Sequence, residues 1–205
     1  MATDSPSNTE DQQVEQILAA TSESVPRFVA DLVVEGGERS AVIVGAAQLD
    51  NVLEQFLITV LQPGDDKKLF GTRGPLSDTY SKISIAYRLG VIDADVERAL
   101  EFVRRIRNDF AHSLETATLS EGTQRYRLNE LVKLCEGNAV YPGVRRGFTD
   151  LLKREDLTEE VERGEFSESL LDFASVMCAL LISLISVRAI SRRVEPSHRA
   201  FLDFS

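Results

Sequence analysis

The pattern of apolar and polar residues along this chain is helical almost throughout. Apolar residues recur at spacings of three and four, which places them on one face of an α-helix. No stretch alternates apolar and polar residues over enough positions to predict a strand. We therefore predict an all-α fold, a single-domain bundle of about seven helices with several antiparallel neighbours and a long C-terminal helix.

Three helices are predicted before residue 63. Two short amphipathic helices are centred on Ile17 and Leu32, and Pro26 lies near the first turn of the second, where proline is tolerated. The glycine pair at 36–37 predicts a break. A long third helix follows, from about residue 38 to residue 62.

Four more helices are predicted in the rest of the chain. Ser77 is expected to cap the fourth, because its hydroxyl can accept a hydrogen bond from a backbone N–H group. Gly90 is expected to end that helix in a left-handed conformation. The last three predicted helices run from Asp93 to about His112, from 123 to 135 and from about 168 to 193.

The last helix contains the most apolar segment of the chain, residues 173–187, which carries no charge. At about 1.5 Å per residue this segment covers about 22 Å, less than a bilayer core of about 30 Å. We interpret it as a buried core helix and expect no membrane insertion. The basic residues at 188–193 follow this segment directly, and association of the helix with a membrane is therefore the alternative interpretation.

Polar tails are expected at both ends of a helical domain that spans residues 11–193. Residues 1–10 are acidic and predict a disordered N-terminal tail, and residues 194–205 predict a polar C-terminal tail. The N-terminal residues have neither the basic start nor the apolar run of a signal peptide. This composition favours a cytoplasmic protein.

Composition disfavours metal sites, disulfides and direct DNA binding. Cys135 and Cys178 form no C-x-x-C pair, and His112 and His198 lack the spacing of zinc ligands. We expect no metal and no cofactor. The net charge of −10 argues against DNA binding, because proteins that bind duplex DNA alone usually present a basic surface to the phosphates. An acidic chain can still carry a local basic patch.

The residues best suited to chemistry lie at the end of the fifth helix, in Arg104-Arg-Ile-Arg-Asn-Asp-Phe-Ala-His112. On a helical wheel Arg107 lies about 100° from the core-facing stripe, at the boundary of the core. Asn108 and His112 lie on the opposite, polar side. The core-facing stripe comprises Ala99, Val103, Ile106 and Phe110.

Two interpretations of this helix end remain open. In the first, the helix end binds or reacts with a ligand. The planar guanidinium group of arginine can form two parallel hydrogen bonds with a phosphate or carboxylate, and the ordinary pKa of histidine is near neutral pH. Alternatively, the basic residues only complement the helix dipole, Arg105 pairs with Asp109 one turn later, and His112 caps the last carbonyls.

Several segments resemble the mannitol operon repressor (MtlR-like) family. The segments are 44–50, Phe-Gly-Thr-Arg-Gly-Pro-Leu-Ser at 70–77, 83–92, and Ile-Arg-Asn-Asp-Phe-Ala-His-Ser at 106–113. The resemblance covers residues 38–115 and leaves 116–193 as an unmatched helical extension. It implies an all-helical fold and a role as a negative regulator of sugar-alcohol operons. The helix after the turn at 90–93 begins with Asp95 and Glu97, the wrong charge for a major groove. Regulation through a protein partner therefore fits better than operator binding.

The same helix end resembles the R-x4-6-H signature of HEPN-domain ribonucleases. That resemblance implies metal-independent RNA cleavage, usually across a dimer interface, with His112 as acid/base, Arg107 as phosphate clamp and Asn108 as orienting residue. Asp50 or Glu54 on the third helix could orient Arg107. On an ideal helix Arg107 and His112 stand about 140° apart, so they converge only with a distorted last turn or a second subunit.

The sequence thus predicts a cytoplasmic regulatory or interaction module that forms a homodimer and acts through a protein partner. The alternative is a HEPN-like endoribonuclease or toxin–antitoxin component with RNA as its partner. Further candidate binding residues are Arg73, Arg104 and Arg105.

Overall fold

The all-α prediction is confirmed. The computed structural model describes residues 7–113, 117–151 and 167–194, and these ranges contain seven helices and no strand. The helices are α1 (Ser7–Val60), α2 (Asp66–Phe70), α3 (Thr79–Arg88), α4 (Ala94–His112), α5 (Gly122–Glu136), α6 (Tyr141–Leu151) and α7 (Glu168–Ile190).

The three helices predicted before residue 63 form one helix, α1, with a kink. Gly37 has φ 64° and ψ −172°, so the predicted break is present as a change of direction inside the helix. Pro26 does not begin a separate helix but lies within α1. A buried row of Val25, Val29 and Val33 continues past the proline, and this packing outweighs the hydrogen bond that proline removes.

The second half of the chain follows the prediction more closely. Asp78, not Ser77, caps α3, because its Oδ1 accepts a hydrogen bond from Ser81 N–H at 3.0 Å. Gly90 follows α3 with φ 70°, as predicted for a left-handed terminus. Asp93 caps α4 by accepting from the N–H groups of Asp95 and Val96. The short helices α2 and α6 were not predicted.

The core is built around α7. This helix packs against α1, α5 and α6, while α4 packs against α1, α3 and α5. Residues 173–182 of α7 are all buried, so the helix is surrounded on every side. The largest fully buried side chains are Phe56, Phe110 and Phe173.

Two helical stretches, Glu15–Val60 and Glu168–Ile190, are long and apolar enough to cross a membrane by length and composition. Most of the apolar window of α7 is buried against the other helices, which agrees with its interpretation as a core helix. The core helices of helical bundles are often as long and as apolar as these.

The predicted tails lie mostly outside the described residues. Residues 1–6 and 195–205 are not described, and α1 already begins at Ser7. At the other end, Val194 N–H donates to the carbonyl of Val60 at 2.8 Å, and Gln62 Nε2 donates to the carbonyl of Val194 at 2.6 Å. The chain after α7 therefore returns to the C-terminal end of α1.

Candidate functional site

One face of helix α4 is packed into the core. Val103, Ile106 and Phe110 are buried, as the helical wheel predicts. The helix stays regular to its end at His112, where Ser113 N–H donates to the carbonyl of Asp109 at 2.9 Å. The last turn is therefore not unwound.

A cavity of about 140 Å³ lies where α4 meets α1 and the start of α3. We call it the α4 cavity. Two arginines of α4 and one carboxylate of α1 line it, together with small and apolar side chains. Its lining residues are Ala46, Ala47, Leu49, Asp50, Leu53, Thr79, Leu100, Val103, Arg104, Arg107 and Asn108.

Arg107 and Asn108 lie together at this cavity. The Arg107 side chain is exposed, and one guanidinium N–H donates to Asn108 Oδ1 at 3.0 Å. Arg107 has no carboxylate partner among the described residues. The helical wheel predicts that Asn108 lies with His112 on the polar side of α4. In the structure, the Asn108 side chain instead contacts Arg107 and lines the α4 cavity.

The other two arginines of the segment are paired with Glu101. Arg104 donates to both carboxylate oxygens of Glu101, at 3.1 and 2.9 Å, and stacks over the Tyr80 ring at 5.5 Å. The Glu101 hydrogen bonds raise the pKa of Arg104. Arg105 Nε lies 3.7 Å from Glu101 Oε2. The predicted ion pair between Arg105 and Asp109 is therefore wrong. Asp109 instead binds Arg127 and Gln124 of α5.

Asp50 and Glu54 do not orient Arg107. Each carboxylate lies 2.7 Å from the ammonium of Lys82, whose side chain is only 3% exposed. Burial alone would lower the pKa of Lys82, but its two carboxylate partners outweigh burial and raise it. Asp50 Oδ1 is buried and has no hydrogen-bond partner among the described residues. The sequence analysis missed Lys82, because this lysine lies 32 residues after Asp50 and no local pattern indicates the contact.

His112 and Arg73 lie away from the α4 cavity. The His112 side chain is exposed at the end of α4 and does not line the cavity. Arg73 is exposed in the loop between α2 and α3 and forms no ion pair with a described residue. Its neighbour Gly74 lies so close to Leu69 that an added Cβ would come within 2.2 Å of the Leu69 carbonyl oxygen, so this loop requires glycine.

In the ranges that the structure describes, no group of three or more histidine, cysteine, aspartate or glutamate side chains could hold a metal ion. Burial raises the pKa of Cys135 to about 12 and also raises that of Cys178, so neither is a reactive thiolate at neutral pH. The lining of the α4 cavity offers two guanidinium groups, one carboxylate, one amide and one hydroxyl.

Among solved structures, the fold is similar to a chain of the MtlR–HPr complex from Escherichia coli. The two have a TM-score of 0.55 and 18% sequence identity, over 83% of this chain and 99% of that chain. No family model matches the sequence, and no curated protein matches it. At this identity the comparison establishes an MtlR-like fold and nothing finer.

Proposed function

We propose that this protein is a regulatory module that acts by binding a protein partner. The support comes from the fold: nearly the whole of the similar chain superposes, and that chain was solved in complex with HPr. A protein of the HPr kind is therefore the first partner to test.

The exposed side of α4 supplies the surface that we assign to this partner. Arg98, Arg105 and His112 follow one another at intervals of seven residues, which aligns them along one side of the helix. All three side chains are exposed. We call them the outer stripe. Arg98 and Arg105 place two positive charges on this side of the helix, and these charges would select an acidic patch on the partner.

Binding to a protein can be tested with purified HPr from the same organism. We expect isothermal titration calorimetry to detect a complex that weakens at least about tenfold in Arg105→Glu and weakens with added salt. The control is Arg146→Glu, which reverses an equally exposed arginine on α6. The proposal fails if wild type does not bind HPr or if both variants bind it equally.

The HEPN-like ribonuclease is the second candidate, and the regular end of α4 argues against it within one chain. Arg107 lines the α4 cavity, whereas His112 is exposed and does not line it. The two side chains would act on one phosphate only if a second subunit supplied one of them.

This candidate has a direct test. Wild-type protein is incubated with total RNA and EDTA, beside Arg107→Ala and His112→Ala. We expect all three to leave the RNA intact. Cleavage by wild type that is lost in both variants, and restored when the two variants are mixed, would establish a composite ribonuclease site across a dimer.

A further inference from the structure

The outward face of α1 changes its character after residue 39. Before this point a charged residue is exposed at every turn, in the series Glu23, Arg27, Asp31, Glu35 and Arg39. The next stretch, residues 40–64, contains only two charged residues, Asp50 and Glu54, and Lys82 binds both of their carboxylates. Every exposed residue of that stretch is uncharged.

The uncharged residues form one continuous strip along the helix. At 100° per residue, six side chains fall within an arc of about 80° and extend over about 27 Å. We call them the uncharged strip: Ser40, Val44, Ala47, Asn51, Gln55 and Ile58. Ser40 and Ile58 are half-buried and the other four are exposed. Successive members are three or four residues apart, which is the spacing by which one helix packs along another.

Such a strip is unusual on a protein of this composition. Charged residues make up 27% of the chain, and the first half of the same helix exposes them regularly. Depletion of charged residues is the feature that distinguishes the centre of a protein interface from the rest of a protein surface. The uncharged strip therefore has the composition of an interface centre.

Charge and hydrogen bonding both favour a second copy of this chain over another partner. Two copies carry a net charge of −10 each, so they repel unless the surfaces that meet are uncharged. A strongly acidic or basic partner would find no charge on the strip to select it. The amides of Asn51 and Gln55 form no side-chain hydrogen bond with another residue in the described ranges. Each amide carries both a donor and an acceptor, so it is complementary to its own copy across a twofold axis.

We propose that a second copy of this chain packs against the uncharged strip and forms a twofold dimer. Ala47 and Asn51 lie at the middle of the strip, so each approaches the strip's centre on the other copy near the twofold axis. The α4 cavity adjoins the strip at Ala47, and Arg107 on its lining has no carboxylate partner among the described residues. An arginine beside an uncharged centre is typical of the composition of interfaces.

The size of the strip sets the expected strength of the dimer. A helix face about 27 Å long and about 10–12 Å wide covers about 300 Å², less than half of the roughly 800 Å² per partner in a stable interface. Contacts around the strip must add to this area, so we expect a reversible dimer that dissociates at micromolar concentrations. This dimer goes beyond the proposed function and does not depend on it, because the outer stripe lies on α4 and the uncharged strip on α1.

Analytical ultracentrifugation from about 1 to 100 μM measures this association. We expect the average mass of wild type to rise from one chain toward two over this range. Asn51→Glu places like charges against each other at the centre of the interface and should weaken the dimer at least about tenfold. The control is Ser24→Glu, which adds the same charge at an exposed position of the same helix outside the strip and should dimerise as wild type does.

A charge exchange distinguishes a contact across the twofold axis from a structural defect. Asn51→Lys alone should also be monomeric, because its lysines repel each other at the axis. An equal mixture of Asn51→Glu and Asn51→Lys should form a dimer with one chain of each, since opposite charges now meet. A defect in the fold of either variant would not be repaired by mixing.

A wild-type protein that stays monomeric at about 100 μM would overturn the dimer. So would an Asn51→Glu variant that dimerises as tightly as wild type, or a mixture of the two variants that stays monomeric. If wild type is monomeric and Asn51→Glu loses HPr binding, the strip belongs to the protein partner instead. Loss of HPr binding in Arg105→Glu with an intact dimer would support both proposals, and a dimer without any HPr binding would remove only the proposed partner.

Discussion

Among the described residues, Lys82 is the one charged residue that is buried. Its ammonium lies between the carboxylates of Asp50 and Glu54, at 2.7 Å from each, and its side chain is 3% exposed. A buried ammonium is tolerated only when charges and hydrogen bonds replace its hydration. The Asp50 and Glu54 side chains are 28% and 29% exposed, and Asp50 also lines the α4 cavity. The three-residue cluster therefore extends from the core to this cavity.

We expect Lys82→Met to destabilise the protein by about 2–3 kcal/mol, because two partly buried carboxylates lose their shared partner. The pKa of Lys82 is raised in the folded state, so its contribution is complete below the unfolded pKa of about 10.4. That contribution disappears as pH rises through the folded pKa.

Urea unfolding at neutral and strongly alkaline pH measures this effect. The difference in stability between wild type and Lys82→Met should shrink above about pH 10.4. Lys68→Met is the control, since the Lys68 side chain is 86% exposed. A constant difference across the whole pH range would contradict the assigned role of the Lys82 charge.

Asp109 ties the end of α4 to α5 through Gln124 and Arg127. The Gln124 hydrogen bond, followed by Arg127, lowers the pKa of Asp109. Its contribution is therefore present above the unfolded pKa of about 3.9 and is lost as pH falls through the folded pKa. We expect Arg127→Ala to cost about 0.5–1 kcal/mol at pH 7, since the Asp109 side chain is 43% exposed. In acid-titrated urea unfolding, this cost should shrink as the pH falls below the unfolded pKa of about 3.9 and disappear once Asp109 is protonated in the folded state.

At the scale of elements, the sequence predicts helices well and their junctions less well. The helix predicted from Asp93 to about His112 is confirmed as α4, with Asp93 as its N-cap. This prediction succeeds because an N-cap residue and a helical periodicity are both visible in the local sequence. The predicted break at Gly37 is present as a kink, whereas α1 continues through Pro26, where a separate helix was predicted to begin. The burial of Val25, Val29 and Val33 accompanies this continuity, and it depends on packing that no local pattern contains. The five-residue helix α2 is too short to show a periodicity at all.

The candidate site was predictable to the same extent. The helical wheel located Arg107 at the edge of the core, and the structure places it on the α4 cavity. The partner of Asp50 and Glu54 could not be read from spacing, because Lys82 lies 32 residues after Asp50 on another helix. Such a contact depends on how α1 and α3 pack, and only the folded chain determines that.

The kink in α1 depends on Gly37. With φ 64° and ψ −172°, this residue occupies a region that is open essentially to glycine alone. An added Cβ would meet nothing within 4 Å, so any cost of substitution comes from the backbone. We expect Gly37→Ala and Gly37→Asn to cost about 1–3 kcal/mol each in urea unfolding.

The control for the kink is Gly147→Ala in α6, where an added Cβ also meets nothing within 4 Å and φ is not positive. Alanine should stabilise that helix by about 0.5–1 kcal/mol. Equal effects at the two glycines would mean that α1 straightens at little cost.

At the scale of the whole molecule, α7 organises the bundle. Polar contacts link the helices around it to its surface: Arg145 of α6 lies 2.9 Å from Asp172, and Asn138 after α5 donates to Ser183 at 2.9 Å. The apolar length between these contacts is enclosed by α1, α5 and α6. Most of the apolar window of α7 is buried against the other helices, and this burial makes a measurable prediction.

Two valines of α7 provide that test. Val176 is fully buried, whereas Val187 is 38% exposed near the end of the helix. If α7 is a core helix, Val176→Asp buries an unpaired carboxylate and should cost more than about 4 kcal/mol, while Val187→Asp should stay within about 1 kcal/mol of wild type. Urea unfolding of detergent-free protein measures both. A lipid-facing helix would instead be damaged comparably at both positions, and wild-type protein would require detergent to stay in solution. Because the substitutions are identical and the helix is the same, only the surroundings of each valine can produce the expected difference.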